Sequence, residues 1–165
     1  MLLLAAQTSI PTSATDVSHD QIAATLKKAA MTDNQVRVVN VGPYNIAIGI
    51  AHRVERGKPQ GAVSHDQITE VYYITEGSGT LVTGGTMVEE RRAASDSAVY
   101  KLLNGPSSLG SGLKGGTSRR VTVGDVIVIP PKVGHWFSAM DGDHLDYLIM
   151  RVDPDHVLPA GFVDK

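Results

Sequence analysis

Ser64-His65-Asp66-Gln67-Ile68-Thr69-Glu70-Val71-Tyr72-Tyr73-Ile74-Thr75-Glu76-Gly77 is the stretch from which the fold is read. A histidine and a carboxylate stand five positions apart, a run of β-branched and aromatic residues follows, and a glycine closes it. The run has strand composition. A second stretch answers it downstream. Gly124-Asp125 makes a turn, Val126-Ile127-Val128-Ile129 reads as a buried strand, and Pro130-Pro131 ends it, because proline cannot serve the ladder of a central strand. After a short loop come His135-Trp136-Phe137. The two stretches are expected to face each other.

Outward from this pair the chain reads as short strands separated by Gly/Pro turns. Ser18 and Gln21 have capping-box spacing, and Ile22 and Leu26 recur at helical spacing, so one short helix is expected at 19–32. Residues 1–18 read as an arm, 33–153 as a barrel and 154–165 as a tail. In the strand Tyr44–Val54, Ile46, Ile48, Ile50 and His52 share the more apolar face, which places His52 in the core or a pocket wall. Glu76–Gly79 is expected to turn a hairpin between Thr69–Thr75 and Thr80–Thr83, and Asp141-Gly142-Asp143 to turn the chain between two late strands. Asn104–Thr117, with five glycines, reads as a flexible loop; no strand and helix flank it as a phosphate-cradling loop requires. His19, His144 and His156 read as surface residues. About ten strands and one helix predict an all-β protein, an antiparallel sandwich or jelly roll.

Composition narrows the function classes. With 165 residues and no cysteine, the chain suits one domain without disulfides, thiolate chemistry or cysteine metal sites. The net charge of −2, with no basic run, gives no nucleic-acid footprint. No stretch approaches the ~20 apolar residues of a membrane span. Met1–Gln7 is apolar and reads either as a frayed start or as the end of an export signal, so cytoplasmic and exported (periplasmic) locations both stay open.

Both stretches together resemble the cupins, the small-barrel family that includes the germins. Gly57, His65, Glu70 and Gly77 fall at the spacing of the family's first motif, with Val63 where that motif has its first histidine. Gly124, Pro130 and His135 match the second motif, with Lys132 in place of a glycine and Ala139 in place of an asparagine. The resemblance spans roughly residues 36–152. It implies a double-stranded β-helix, or jelly-roll barrel, holding a divalent metal (Zn, Mn, Fe or Ni) on His65, Glu70 and His135. Two histidines and one carboxylate leave open positions for water or substrate. His52 and Gln67 are candidates to replace the missing histidine. By strand parity Tyr72 and Phe137 are expected to line the pocket with them. The resemblance also implies a small-molecule ligand and a homodimer formed through the outer sheet. Two functions remain open: a metal-dependent enzyme of oxygenase, decarboxylase, isomerase or lyase type, or a non-catalytic barrel that binds or senses a small ligand.

Overall fold

A computed structural model describes residues 9–28, 31–54 and 61–164. The apolar segment Met1–Gln7 and the motif glycine Gly57 lie outside the described residues. The fold is an all-β jelly-roll barrel with one short N-terminal helix. Helix α1 (His19–Lys28) opens on a capping box: the Ser18 amide donates to Gln21 Oε1 at 3.0 Å, and the Gln21 amide to Ser18 Oγ at 3.3 Å. The helix is held by the chain's end, where Thr25 Oγ1 donates to Asp164 Oδ2 at 2.6 Å. That end runs along β1 (Asp33–Asn40), with Val38 N donating to Phe162 O at 3.0 Å and Asp164 N to Val36 O at 3.0 Å. It thereby covers an otherwise open sheet edge.

Two long strands carry the barrel. β4 (Thr69–Thr83) and β11 (His135–Asp153) pair with each other, and each also serves other neighbours. β11 pairs with β2 (Asn45–Val54), which pairs with β1. Its first residue, His135, meets Val63 of β3 (Ala62–His65). β4 pairs through its first half with β10 (Val126–Ile129) and through its second with β9 (Thr117–Thr122). The remaining strands are β5 (Thr86–Val88), β6 (Arg91–Arg92), β7 (Ser107–Gly110) and β8 (Gly112–Lys114), with a π-helical turn at Val99–Asn104. The interior is packed by Tyr72, Ile74, Leu81, Val121, Ile127, Ile129, Phe137, Leu145, Tyr147 and Ile149. Each lies on the inward parity of its strand.

Three expectations are corrected. The Glu76–Gly79 segment is not a hairpin turn: β4 runs on through it, and Gly77 takes φ +74° where the strand passes from β10 to β9 as neighbour. Asp141–Asp143 likewise lies inside β11, in a break of register between Met140 and Leu145. Such bulges bend a strand without ending it. Finally, much of the Gly-rich loop is structured, since Ser107–Gly110 pairs with β3 and β8 pairs with β5 in a separate two-stranded sheet.

Candidate metal centre

β3 delivers His65, the start of β4 delivers Glu70, and the start of β11 delivers His135. All three are buried, at 3%, 1% and 2% exposure. His65 Nε2 and His135 Nε2 each lie 3.3 Å from Glu70 Oε2. Ligand atoms of the three residues all fall within 4.8 Å of one another. The His65 carbonyl accepts from Lys132 N at 2.6 Å, which ties the loop before His135 to β3. Lys132 adopts φ +66°, the conformation for which glycine is the usual residue, and this explains the glycine of the motif it replaces.

The other ring nitrogens fix the tautomers. His135 Nδ1 lies 3.0 Å from the Val133 carbonyl, which can only accept, so Nδ1 carries the proton. His65 Nδ1 lies 2.9 Å from Ser107 Oγ. Ser107 uses its own proton on the Gly105 and Asn104 carbonyls, at 3.0 and 3.3 Å, so its oxygen accepts from His65. Both Nε2 lone pairs therefore turn toward one carboxylate oxygen, and His135 Nε2 has no hydrogen-bond partner. Such an arrangement needs positive charge between the groups, either a proton or a metal ion. Two donors about 2.1 Å from one ion at a tetrahedral angle stand about 3.4 Å apart, so the observed spacing fits a metal.

Glu70 is held from behind. Tyr72 Oη donates to its Oε2 at 2.7 Å and Arg151 Nε to its Oε1 at 2.9 Å. Arg151 is fully buried and also donates to Gln35 Oε1 at 2.9 Å and to Asp33 Oδ2. Its guanidinium occupies the space over Gly49, where a Cβ would lie 2.8 Å from Nη1. Burial pushes the Glu70 carboxyl up, but positive charge at His65 and on Arg151 outweighs it and holds the carboxyl well below the ordinary range. Burial and the Glu70 charge push Tyr72 well above the ordinary phenol value, so it stays a neutral donor. Burial opposes the Arg151 charge, but Asp33 and Glu70 raise it further above its ordinary value.

The other expected pocket residues divide. Tyr72 joins the group, and Phe137 lies on the same interior, packed on Tyr147 with centroids 5.4 Å apart. Arg53 stacks over Phe137 at 5.0 Å and donates from Nε to Tyr147 Oη at 2.8 Å. His52, between Ala51 and Arg53, therefore faces the opposite way. It is on the outer face, paired through Nδ1 with Asp146 Oδ1 at 2.6 Å, and does not line the pocket. Gln67 is partly buried in the turn before β4, with Oε1 buried and unpartnered. Val63 shares the inward parity of His65.

The Cupin family model matches residues 27–162. The chain belongs to the cupin family. No curated protein matches this cupin. Among solved structures, BH2720 from Bacillus halodurans aligns at TM-score 0.50 and 13% identity, over 93% of this chain and 91% of its own. The L-ribose isomerase of Acinetobacter sp. DL28 aligns at TM-score 0.43 and 18% identity, over 73% of this chain and 53% of its own. An 11S globulin from Wrightia tinctoria aligns at TM-score 0.40 and 13% identity, over 66% of this chain and 20% of its own. The cupin thus spans about half of the isomerase and a fifth of the globulin. At these identities the likeness concerns the fold alone.

Sequence reasoning missed Ser107, Arg151, Asp33 and Gln35. A signal existed for Arg151, which keeps step with Leu145, Tyr147 and Ile149 and so had to point inward. Ser107 had none, because only the pairing of β7 with β3 brings it to His65.

Proposed function

We propose that this barrel holds one divalent first-row metal ion, of the zinc, manganese, iron or nickel class, on His65 Nε2, Glu70 Oε2 and His135 Nε2, and uses the site to bind a small polar molecule. The observation that carries the reading is the convergence of two imidazole nitrogens, each with its proton fixed on the far side, on one buried carboxylate oxygen. When bound, the ion supplies a Lewis acid with open positions for oxygen ligands. The chain's own groups do the rest. Arg151 and Tyr72 fix the carboxylate, and Ser107 and the Val133 carbonyl fix the rings. Phe137, Tyr147 and Tyr72 form an apolar wall that keeps out water, and Arg53 lends it positive charge.

Tyr72 donates to the same Glu70 oxygen that the site uses and keeps its proton, so it serves as a donor rather than a base. One observation favours the second reading, a non-catalytic ligand-binding barrel: Val63 sits opposite His135, where the family's motif has a fourth ligand. Metal analysis of protein purified without a histidine tag tests the site, and turnover of a candidate substrate that is lost in Glu70→Ala separates enzyme from binder. Metal that is equally low in wild type and His65→Ala would remove the metal reading.

The same proposal extends to a homodimer. On the outer face, Val126 and Val128 of β10 pair with Tyr73 and Val71 of β4, and Met150 of β11 lies across from Val71. Val126, Val128, Tyr73 and Met150 are 57%, 62%, 41% and 39% exposed, a contiguous apolar patch of the kind that marks an interface. Sedimentation of Val128→Glu is expected to give monomer where wild type gives dimer; monomeric wild type would end this part.

A further inference from the structure

A second group of donors gathers on the outer face of the barrel, away from the interior centre. Asp146 of β11 stands in register between His52 of β2 and Glu76 of β4. His144, on the same strand, reaches Glu76 with Nε2 at 3.1 Å from Oε2. Ligand atoms of Glu76, His144 and Asp146 all lie within 4.8 Å of one another. We propose that Glu76, His144 and Asp146 form a second metal site, for a zinc-class divalent cation, with Asp143 and His52 as its positioning residues.

Three features carry this. The first is the donor set: one imidazole and two carboxylates are strong nitrogen and oxygen ligands for zinc or its neighbours in the absence of cysteine. The second is orientation from behind. His144 Nδ1 is engaged by Asp143 Oδ1 at 2.8 Å, which leaves Nε2 to face the other donors. This carboxylate–histidine arrangement is the one that fixes the tautomer of metal-bound imidazoles. Asp146 is fixed in the same sense by His52 Nδ1 at 2.6 Å. The third is adaptability. The Nε2–Oε2 separation of 3.1 Å is close to the ~3.4 Å between two ligand atoms on one tetrahedral ion. Glu76 has a side chain 67% exposed, so it can close the wider gaps without disturbing the core.

A plain ion-pair cluster is the competing account of these residues. That account takes in the Asp143–His144 and His52–Asp146 contacts as ordinary ion pairs, so zinc binding, and its weakening in variants of the cluster, is what separates the two accounts. None of the five residues belongs to the interior group, and the proposal stands whether or not the interior holds a metal.

The test is calorimetric titration of chelator-stripped, tag-free, full-length protein with zinc alone. Wild type is expected to show two binding events, and His144→Ala to lose one of them. Asp143→Ala changes a side chain that is 96% exposed, so it leaves the fold intact. It is expected to weaken that same event by about 10- to 100-fold. His65→Ala with His135→Ala is expected to keep the outer event; should that pair fail to fold, the comparison of wild type with His144→Ala carries the result alone. A wild-type titration whose events are unchanged in His144→Ala overturns the outer site. An outer event that Asp143→Ala leaves at full strength overturns the positioning role of Asp143. One event, lost in His144→Ala and kept in His65→Ala, supports the outer site while removing the interior one.

Discussion

Arg151→Met is the substitution that probes the design of the interior most sharply. Arg151 is fully buried and serves two carboxylates, Glu70 through Nε at 2.9 Å and Asp33 through Nη2. Methionine fills part of the volume and supplies no charge, so Glu70, at 1% exposure, is left as a buried anion without its cation. Removing one partner of such a pair costs about 3–5 kcal/mol. For a domain of this size each kcal/mol moves the melting temperature by about 2–4 °C, so a fall of about 6–20 °C is expected. The assay is thermal and denaturant unfolding of chelator-treated protein near neutral pH. Adding Glu70→Gln to the variant is expected to recover part of the loss, because the stranded charge is then gone. A divalent metal at the site would return positive charge to Glu70, so the loss should shrink in metal-loaded protein. By linkage, the variant then binds metal more tightly than wild type. A loss below about 1 kcal/mol, the value of an exposed ion pair, would refute the reasoning.

Three further outcomes follow from the same geometry. Gly49→Ala places a Cβ 2.8 Å from Arg151 Nη1 and 3.1 Å from the Asn34 carbonyl, and is expected to cost about 1–3 kcal/mol by denaturant unfolding. Lys132→Gly relieves a positive-φ backbone and is expected to stabilise the chain by about 1 kcal/mol, provided the Lys132 N to His65 O bond is kept. The hydroxyl of Ser78 and the Arg120 guanidinium hold the Asp141 carboxyl below its ordinary value of 3.8. A depressed carboxylate contributes stability that is present above the unfolded value and is lost as pH falls through the folded one. NMR titration is therefore expected to show Asp141 titrating below 3.8, and moving up toward it in Arg120→Ala.

Much of this was legible in the chain, and the failures have physical reasons. The resemblance carried by the two motifs named His65, Glu70 and His135, and the fold brings these three side chains together. The reading of Glu76–Gly79 and of Asp141–Asp143 as turns failed because turn-forming residues also serve bulges. In a strand that changes neighbours, a bulge supplies the bend. His52 was assigned to the interior because its face carries Ile46, Ile48 and Ile50, yet that apolar face is the outer one. The inner face of β2 is instead small, with Ala47, Gly49 and Ala51, because Arg151 and the large aromatic residues of β11 need the room. Hydrophobicity alone could not tell which face was inside, since the outer sheet is itself apolar.

The central claim is that His65, Glu70 and His135 hold one metal ion. The most direct measurement is anomalous diffraction from crystals of metal-loaded His144→Ala protein, in which the outer group is disabled. The account predicts a single strong peak bonded to His65 Nε2, Glu70 Oε2 and His135 Nε2. Loaded crystals with no anomalous peak between these three atoms, and with a water or a bare ion pair in its place, would contradict it.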